Sequence, residues 1–262
     1  MKTGNVIDII TNYIRRYVKN AGAKGVVLGI SGGVDSAVAA YLACKALPPE
    51  KVQGLVLPYR TTAPKSLEDA GRVIENLGIK SKTIDITPQL DAYFDKFDPQ
   101  ADKLRVGNKA ARERMSVLYD WGQKNSYLVF GTSNKTEWLL GYFTLWGDMG
   151  AAFEPLGDLY KTQVWELAQK LGVPRGIIEK SPTADLWPDQ TDEEELGLLY
   201  KEIDKILYLT WEEKLGISEM VDLGWERERV EKVLDMVCKT QFKRKMPDIL
   251  SLQSFLEPLI LK

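Results

Sequence analysis

VVLGISGGVDS, residues 26–36, decides how this chain is read. A β-branched apolar run, Val26-Val27-Leu28-Gly29-Ile30, leads directly into Ser31-Gly32-Gly33-Val34-Asp35-Ser36, and helix formers from Ala37 to Ala43 follow. Strand, glycine turn and helix in that order put backbone N–H groups and a helix N-terminus where they cradle a phosphate. Gly32 and Gly33 permit positive φ and the close approach of an anion. Ser31 and Ser36 add hydroxyls, and Asp35 is placed to ligate a metal. A Walker A loop needs a lysine before its last Ser or Thr, and here that position holds Asp35. The loop is therefore not built for γ-phosphate hydrolysis in the kinase or GTPase manner.

Outward from this loop the chain alternates strands with helices. An amphipathic helix is predicted over 3–20, with Ile7, Ile10, Ile14, Tyr17 and Val18 on one face. A helix over 35–46 ends at Pro48-Pro49, and a second strand, 52–57, is halted by Pro58. After a polar loop at 59–65, a helix is expected to start at Ser66, with Asp69 completing a capping box, and to stop at Gly78. A third strand over 82–86, a charged helix over 102–124 and a fourth strand over 127–130 follow. The fourth ends in Gly131-Thr132-Ser133-Asn134, with a helix opening near Lys135. Short connections between such units imply right-handed βαβ crossovers. The fold class is thus α/β, a doubly wound, mostly parallel sheet with helices on both faces. Ligands of such sheets bind beyond the C-terminal strand ends, where both loaded loops, 31–36 and 131–137, lie. One domain is expected over 1–262, its core sheet spanning about 20–180 and a helical part about 181–262. The Pro- and Asp-rich stretch 181–193 has no apolar periodicity and reads either as a connector or as a lid.

The bulk numbers narrow the chemistry. At 262 residues, 44% hydrophobic and 27% charged, the chain suits an ordinary globular protein. A net charge of −2 argues against broad nucleic-acid binding. No stretch approaches 18 apolar residues, so no membrane span is expected, and a cytoplasmic setting is the default. Cys44 and Cys238 form no CxxC pair and read as buried structural thiols. There is no histidine, which excludes Ser-His-Asp and Cys-His catalysis and histidine-bound metals. Acid–base work must fall to carboxylates, lysines, tyrosines, phosphate oxygens or metal-bound water.

Glu137 follows the fourth strand as Asp35 follows the first. If those strands are neighbours, about 4.8 Å apart, the two carboxylates can share a cation, and hard oxygen ligands suit Mg²⁺. Taken alone, Glu137 reads equally as a charge stabilising a helix N-terminus.

SGGVDS resembles the pyrophosphate loop of the ATP pyrophosphatases, which cleave ATP between its α- and β-phosphates to adenylate a substrate. GTSNKTEWLLGYFTLWGDMGAAFEPLGDLYKTQVWELAQKLGVP, residues 131–174, is similar to the signature region of NAD⁺ synthetases. So are SPTADL at 181–186, the acidic run at 189–197 and the FKRKMP segment at 242–247. The resemblance implies an adenine nucleotide alpha-hydrolase-like sheet and amidation of deamido-NAD⁺ by ammonia through an acyl-adenylate. ATP would be co-substrate, Mg²⁺ the cofactor and a homodimer the assembly. By the same resemblance Gly29, Ile30, Ser31, Gly32, Gly33, Val34, Asp35 and Ser36 hold ATP, with Thr132, Lys161 and Thr183. Asp35 and Glu137 match magnesium ligands, and Arg112, Phe242 and Lys243 fall in the deamido-NAD⁺ contact region. Lys161 offers charge to the leaving pyrophosphate; without the family it would read as a solvated lysine, and Arg112 as a surface arginine. Phe242 reads either as a ring stacked on the ligand or as a core aromatic. Asp148 is the candidate for orienting ammonia and taking its proton, or else a turn-forming aspartate. Leu145, Ala152 and Phe242 depart from the pattern of the ammonia-dependent branch, and Leu145 with Gly147-Asp148-Met149 resembles the glutamine-dependent one. That branch adds an N-terminal amidase, for which too little chain precedes Ser31, so ammonia is the expected donor. A GMP synthetase-like core and a non-catalytic nucleotide-binding module are the alternative readings.

Overall fold

A computed structural model describes residues 3–183, 185, 187, 190–247 and 249–251. Its centre is a parallel sheet of β1 (Gly25–Gly29), β2 (Val52–Val56), β3 (Lys80–Thr83) and β4 (Tyr127–Val129), ordered β3-β2-β1-β4. The chain steps outward from β1 to β3, then crosses back and lays β4 on the other side of β1. Strand order reverses between β1 and β4, and their C-terminal ends open a crevice there. The strand adjacency on which the pairing of Asp35 with Glu137 depends is therefore present, with Val27 opposite Val129.

The helices before the crevice are α1 (Thr3–Asn20), α2 (Val34–Ala46), α3 (Pro64–Leu77), α4 (Thr87–Phe97) and α5 (Lys103–Asn125). After β4 come α6 (Lys135–Leu140), α7 (Lys161–Leu171), α8 (Arg175–Ile178), α9 (Asp192–Leu196), α10 (Tyr200–Trp211), α11 (Ile217–Asp222) and α12 (Arg227–Lys239). β1 is apolar throughout because both its faces are covered. Val26 and Leu28 pack into one layer with α1, α2, α3 and α7, and Val27 packs into the other with α4 and α5. A third apolar cluster joins α6, α10 and α12. Among the described residues no helix is long and apolar enough to cross a membrane.

Several local expectations are corrected. The α3 helix begins at Pro64, so Ser66 and Asp69 lie inside it, buried, and form no capping box. Pro64 supplies the fixed φ of a first turn, which outweighs the Ser-x-x-Asp pattern. β3 lies two to three residues earlier than 82–86, although the Ile84 and Ile86 amides still bond to Val56 and Pro58 carbonyls. The α4 helix was not expected; Pro88 in its first turn and the Leu90–Phe94 pair are the signals for it. Cys44 is half-buried and Cys238 exposed, so neither is the fully buried thiol expected.

One buried cluster ties the C-terminal helices to the sheet. The Thr136 hydroxyl donates to Asp204 Oδ1 at 2.5 Å and accepts the Lys161 amide at 2.9 Å. Asp204 Oδ2 accepts the Thr162 amide at 2.7 Å. The start of α7, and with it Lys161, is therefore set by α6 and α10 together. Thr136→Val should strand two buried polar partners and lower stability by about 1–3 kcal/mol, measured by urea unfolding. Thr136→Ser should recover most of that loss.

Candidate active site

The crevice is a cavity of about 530 Å³. One wall is the glycine loop after β1, where Gly29, Ile30, Ser31, Gly33, Val34, Asp35 and Ser36 all face the cavity. Gly32 does not. It turns at φ +81°, and a Cβ there would collide with the Ser66 carbonyl of α3. That contact requires glycine on two counts, conformation and space. The loop's hydroxyls hold its shape: Ser36 Oγ donates to the Gly33 carbonyl at 3.0 Å, and the Gly33 amide donates to Ser31 Oγ at 3.2 Å.

The opposite wall is the turn after β4. Asn134 caps α6 by accepting the Glu137 amide at 3.0 Å, while Glu137 Oε2 accepts the Asn134 amide at 3.3 Å. This capping box fixes Glu137 and aims its other oxygen, Oε1, at Lys161 Nζ, 3.5 Å away. Asn134 also donates through Nδ2 to Asp35 Oδ1 at 2.9 Å, and Asp35 Oδ2 accepts Lys161 Nζ at 2.5 Å. Lys161 is 3% exposed at the first turn of α7, with its ammonium 5.2 Å from the centre of the Tyr200 ring. Asp35, Glu137 and Lys161 therefore converge across the β1–β4 junction.

The electrostatics follow from burial. Desolvation and the neighbouring Asp35 charge push the Glu137 carboxyl up to about 8, although Lys161 opposes them. Burial by itself would pull the Lys161 ammonium down, but Asp35 and Glu137 carry it above the usual lysine value. Two carboxylates held together by one ammonium make a donor set for a hard divalent ion. Among the described residues no group of three or more acidic or thiol side chains is arranged for a metal. The pair fits an ion that completes its shell with phosphate oxygens and water, as Mg²⁺ does.

The remaining expected residues divide. Thr132 and Thr183 line the cavity, and Thr183 Oγ1 accepts the Asp185 amide at 3.0 Å. Lys243 lines it too, donating to the Gly141 and Phe143 carbonyls at 2.8 Å each. Asp148 faces the cavity and accepts the Thr144 amide at 2.8 Å; burial pushes its carboxyl up, against Lys243 and Arg114. Arg112 is not brought in. Its Nε donates to the Leu145 carbonyl at 3.1 Å, and it borders a separate cleft of about 310 Å³ with Tyr119 and Trp146. Phe242 is 64% exposed and absent from the cavity wall, so it is not a core aromatic. Of the stretch 181–193, residues 184, 186, 188 and 189 lie outside the described residues. Of the others, Ser181, Pro182, Thr183, Asp185, Trp187, Gln190 and Asp192 border the cavity: Asp185 accepts the Ala63 amide at 3.3 Å, and the Lys103 ammonium sits 4.5 Å from the Trp187 ring.

Other residues at the site were not singled out from sequence. Arg114 lines the cavity and donates to the Leu57 carbonyl at 2.9 Å, its guanidinium pulled below its ordinary value by burial. Asp192, at the start of α9, accepts the Tyr200 hydroxyl at 3.0 Å and adds negative charge near Lys161. Asn134 had a readable signal, the Asn-x-x-Glu spacing of a capping box. Arg114 and Asp192 had none, since each sits in a charged run that reads as surface.

The sequence profile of one family, NAD synthase, matches residues 6–247. The NH(3)-dependent NAD(+) synthetase of Trichlorobacter lovleyi is 48% identical over 249 residues, 95% of this chain and 91% of that protein. The NH3-dependent NAD synthetase of Campylobacter jejuni superposes with a TM-score of 0.82 at 35% identity, covering 96% of this chain and 100% of that one. An NMN synthetase from Francisella tularensis superposes with a TM-score of 0.85 at 35% identity, covering 95% and 99%.

The Glu137 environment has a measurable consequence. Its carboxyl titrates near 8 in the folded chain and near 4.5 when unfolded. Between those values the folded state holds a proton that the unfolded state has released, so stability falls as pH rises from about 4.5 to 8. Glu137→Gln should flatten that slope. Urea midpoints at pH 5 and pH 8 in magnesium-free buffer should differ more in the parent protein than in the variant.

Proposed function

The chain belongs to the NAD synthase family, and from that premise we propose that it amidates deamido-NAD⁺ with ammonia and ATP, giving NAD⁺, AMP and pyrophosphate. The observation that carries this reading is the meeting of the glycine loop with Asp35, Glu137 and Lys161 in one cavity. ATP lies with its phosphates on the loop at 29–36, flanked by Thr132 and Thr183. Asp35 and Glu137 would hold magnesium, which would supply positive charge against those phosphates. A GMP synthetase-like core or a non-catalytic module does not account for the family match.

The nicotinate carboxylate attacks the α-phosphorus, an acyl-adenylate forms, and the bridging oxygen leaves with pyrophosphate. Lys161 is aimed at this region by the Thr136–Asp204 clamp and offsets the charge that grows on the leaving group. Ammonia then attacks the acyl carbon and AMP departs. Asp148 is the proton acceptor for the attacking nitrogen, in a protein without histidine. Lys243, held on the neighbouring Phe143 carbonyl, supplies positive charge beside it. The segment 181–193 covers the adenylate against water, and the described chain acts as one catalytic unit with that segment as its lid. Arg112 and Phe242 lie outside the cavity, where a second copy in a homodimer brings its dinucleotide to them. The two free thiols support a reducing, cytoplasmic setting.

The decisive experiment incubates the protein with ATP, Mg²⁺, ammonium and either deamido-NAD⁺ or the corresponding nicotinate mononucleotide. NAD⁺, AMP and pyrophosphate should appear in equal amounts from the dinucleotide. Preference for the mononucleotide would instead align the chain with the NMN synthetase it resembles. Turnover should follow un-ionised ammonia as pH rises, and glutamine alone should not support it.

Lys161→Ala should lower kcat by about 10²–10³-fold with a smaller change in KM for ATP. Truncating the 181–193 segment should raise the ratio of AMP to NAD⁺ above one; an unchanged ratio would remove the lid assignment.

A further inference from the structure

Lys180 stands on the cavity wall immediately before the Ser181-Pro182-Thr183 stretch. Its ammonium donates to Ser66 Oγ at 2.8 Å and lies 3.9 Å from Asp69 Oδ2. Asp69 is 0% exposed in the second turn of α3. A carboxylate removed from water in this way requires cations around it. Lys65 and Arg72 approach Oδ1 at 2.9 and 3.7 Å from the solvent side, where each is more than half exposed. Oδ2 accepts no hydrogen bond among the described residues. It faces Lys180, which is 22% exposed and belongs to the cavity side of the cluster.

The same turn of α3 touches the glycine loop. The Ser66 carbonyl is the atom that a Cβ on Gly32 would strike, and the Ser66 hydroxyl is the atom that holds Lys180. One residue thus carries the loop's tightest bend on its backbone and a cation on its side chain. Of the three Lys180 donors, Ser66 takes one, and the structure gives the others no hydrogen-bond acceptor among the described residues. Lys161, by contrast, already divides its charge between Asp35 and Glu137.

We propose that Lys180 is a second phosphate-binding cation of the site, directed at the pyrophosphate half of ATP, and that buried Asp69 is its positioning residue. The proposal rests on the reading that ATP's phosphates lie on the loop at 29–36. When the carboxylate oxygen bonds to the α-phosphorus, the bond from that phosphorus to the bridging oxygen breaks. Its electron pair leaves with pyrophosphate, which gains negative charge on the side of the loop that Lys180 flanks. An ammonium with two uncommitted donors is suited to that change. Because Lys180 adjoins Thr183 in sequence, the cation and the hydroxyl reach the phosphates on one segment.

The test compares the parent protein with Lys180→Ala, Lys180→Arg, Asp69→Asn and the Lys180→Ala/Asp69→Asn double variant. Inhibition by magnesium pyrophosphate and kcat for NAD⁺ formation are measured, with thermal melts to confirm folding. Lys180→Ala should weaken pyrophosphate inhibition about tenfold and lower kcat, leaving KM for deamido-NAD⁺ unchanged, while Lys180→Arg retains most of both. Asp69→Asn should show part of the loss, and the double variant should be no worse than Lys180→Ala. Unchanged pyrophosphate inhibition in folded Lys180→Ala overturns the proposal, and additive losses in the double variant overturn the role given to Asp69. Failure of the parent protein to make NAD⁺ would overturn the functional reading instead. Calorimetric titration with magnesium pyrophosphate would then still decide whether Lys180 binds it.

Discussion

A lysine ammonium buried among two carboxylates is the constraint on which the rest of this structure depends. Lys161 sits at the first turn of α7, where the helix dipole disfavours a cation. Asp35 and Glu137 occupy the first turns of α2 and α6, where the same dipole favours an anion. Three helix N-termini thus converge on one point; two carry the anion their dipole favours, and the third carries the cation that pairs with both. Removing an ammonium from water is costly unless hydrogen-bonded countercharges surround it. Here they do, and only because β1 and β4 are neighbours.

The convergence also explains why so much of the C-terminal half is helical and tightly joined. Lys161 reaches the carboxylates only if α7 begins at a set height, which the Thr136–Asp204 contacts provide from α6 and α10. Tyr200, wholly buried on α10, closes the far side of the ammonium and donates to Asp192. The acidic groups outnumber the cations at the centre, and the Glu137 carboxyl, pushed up to about 8, answers that crowding by holding its proton more tightly.

Much of the scaffold was legible because its signals are local. The apolar run before Ser31 is a strand covered on both faces, and the 3.6-residue period over 3–20 buries Ile7, Ile10, Ile14 and Val18. The start of α3 was misread for an equally local reason. Two rules competed over Pro64 and Ser66, and the proline's fixed φ prevailed. Ser66 and Asp69 were then free for long-range tasks that no sequence window reveals, the one touching Gly32 and the other facing Lys180.

The sequence by itself determined the α/β class, the glycine loop between β1 and α2 and the removal of histidine chemistry, and it left the pairing of Asp35 with Glu137 conditional on the order of the strands. The loop depends on residue type and spacing within a short stretch, the class on the alternation of such stretches and the loss of histidine chemistry on composition, and the motif resemblance pointed to Lys161, Thr132 and Thr183. Only the tertiary structure decided which charged residues share a cavity. Arg112 and Arg114 are two positions apart on α5, yet one borders a surface cleft and the other lines the site. Lys243 is drawn inward by two carbonyls just after α6 while its neighbour Phe242 stays in solvent. Burial of a charge is a property of everything packed around it, and that environment comes from segments a hundred residues away, brought together only by the order of the strands.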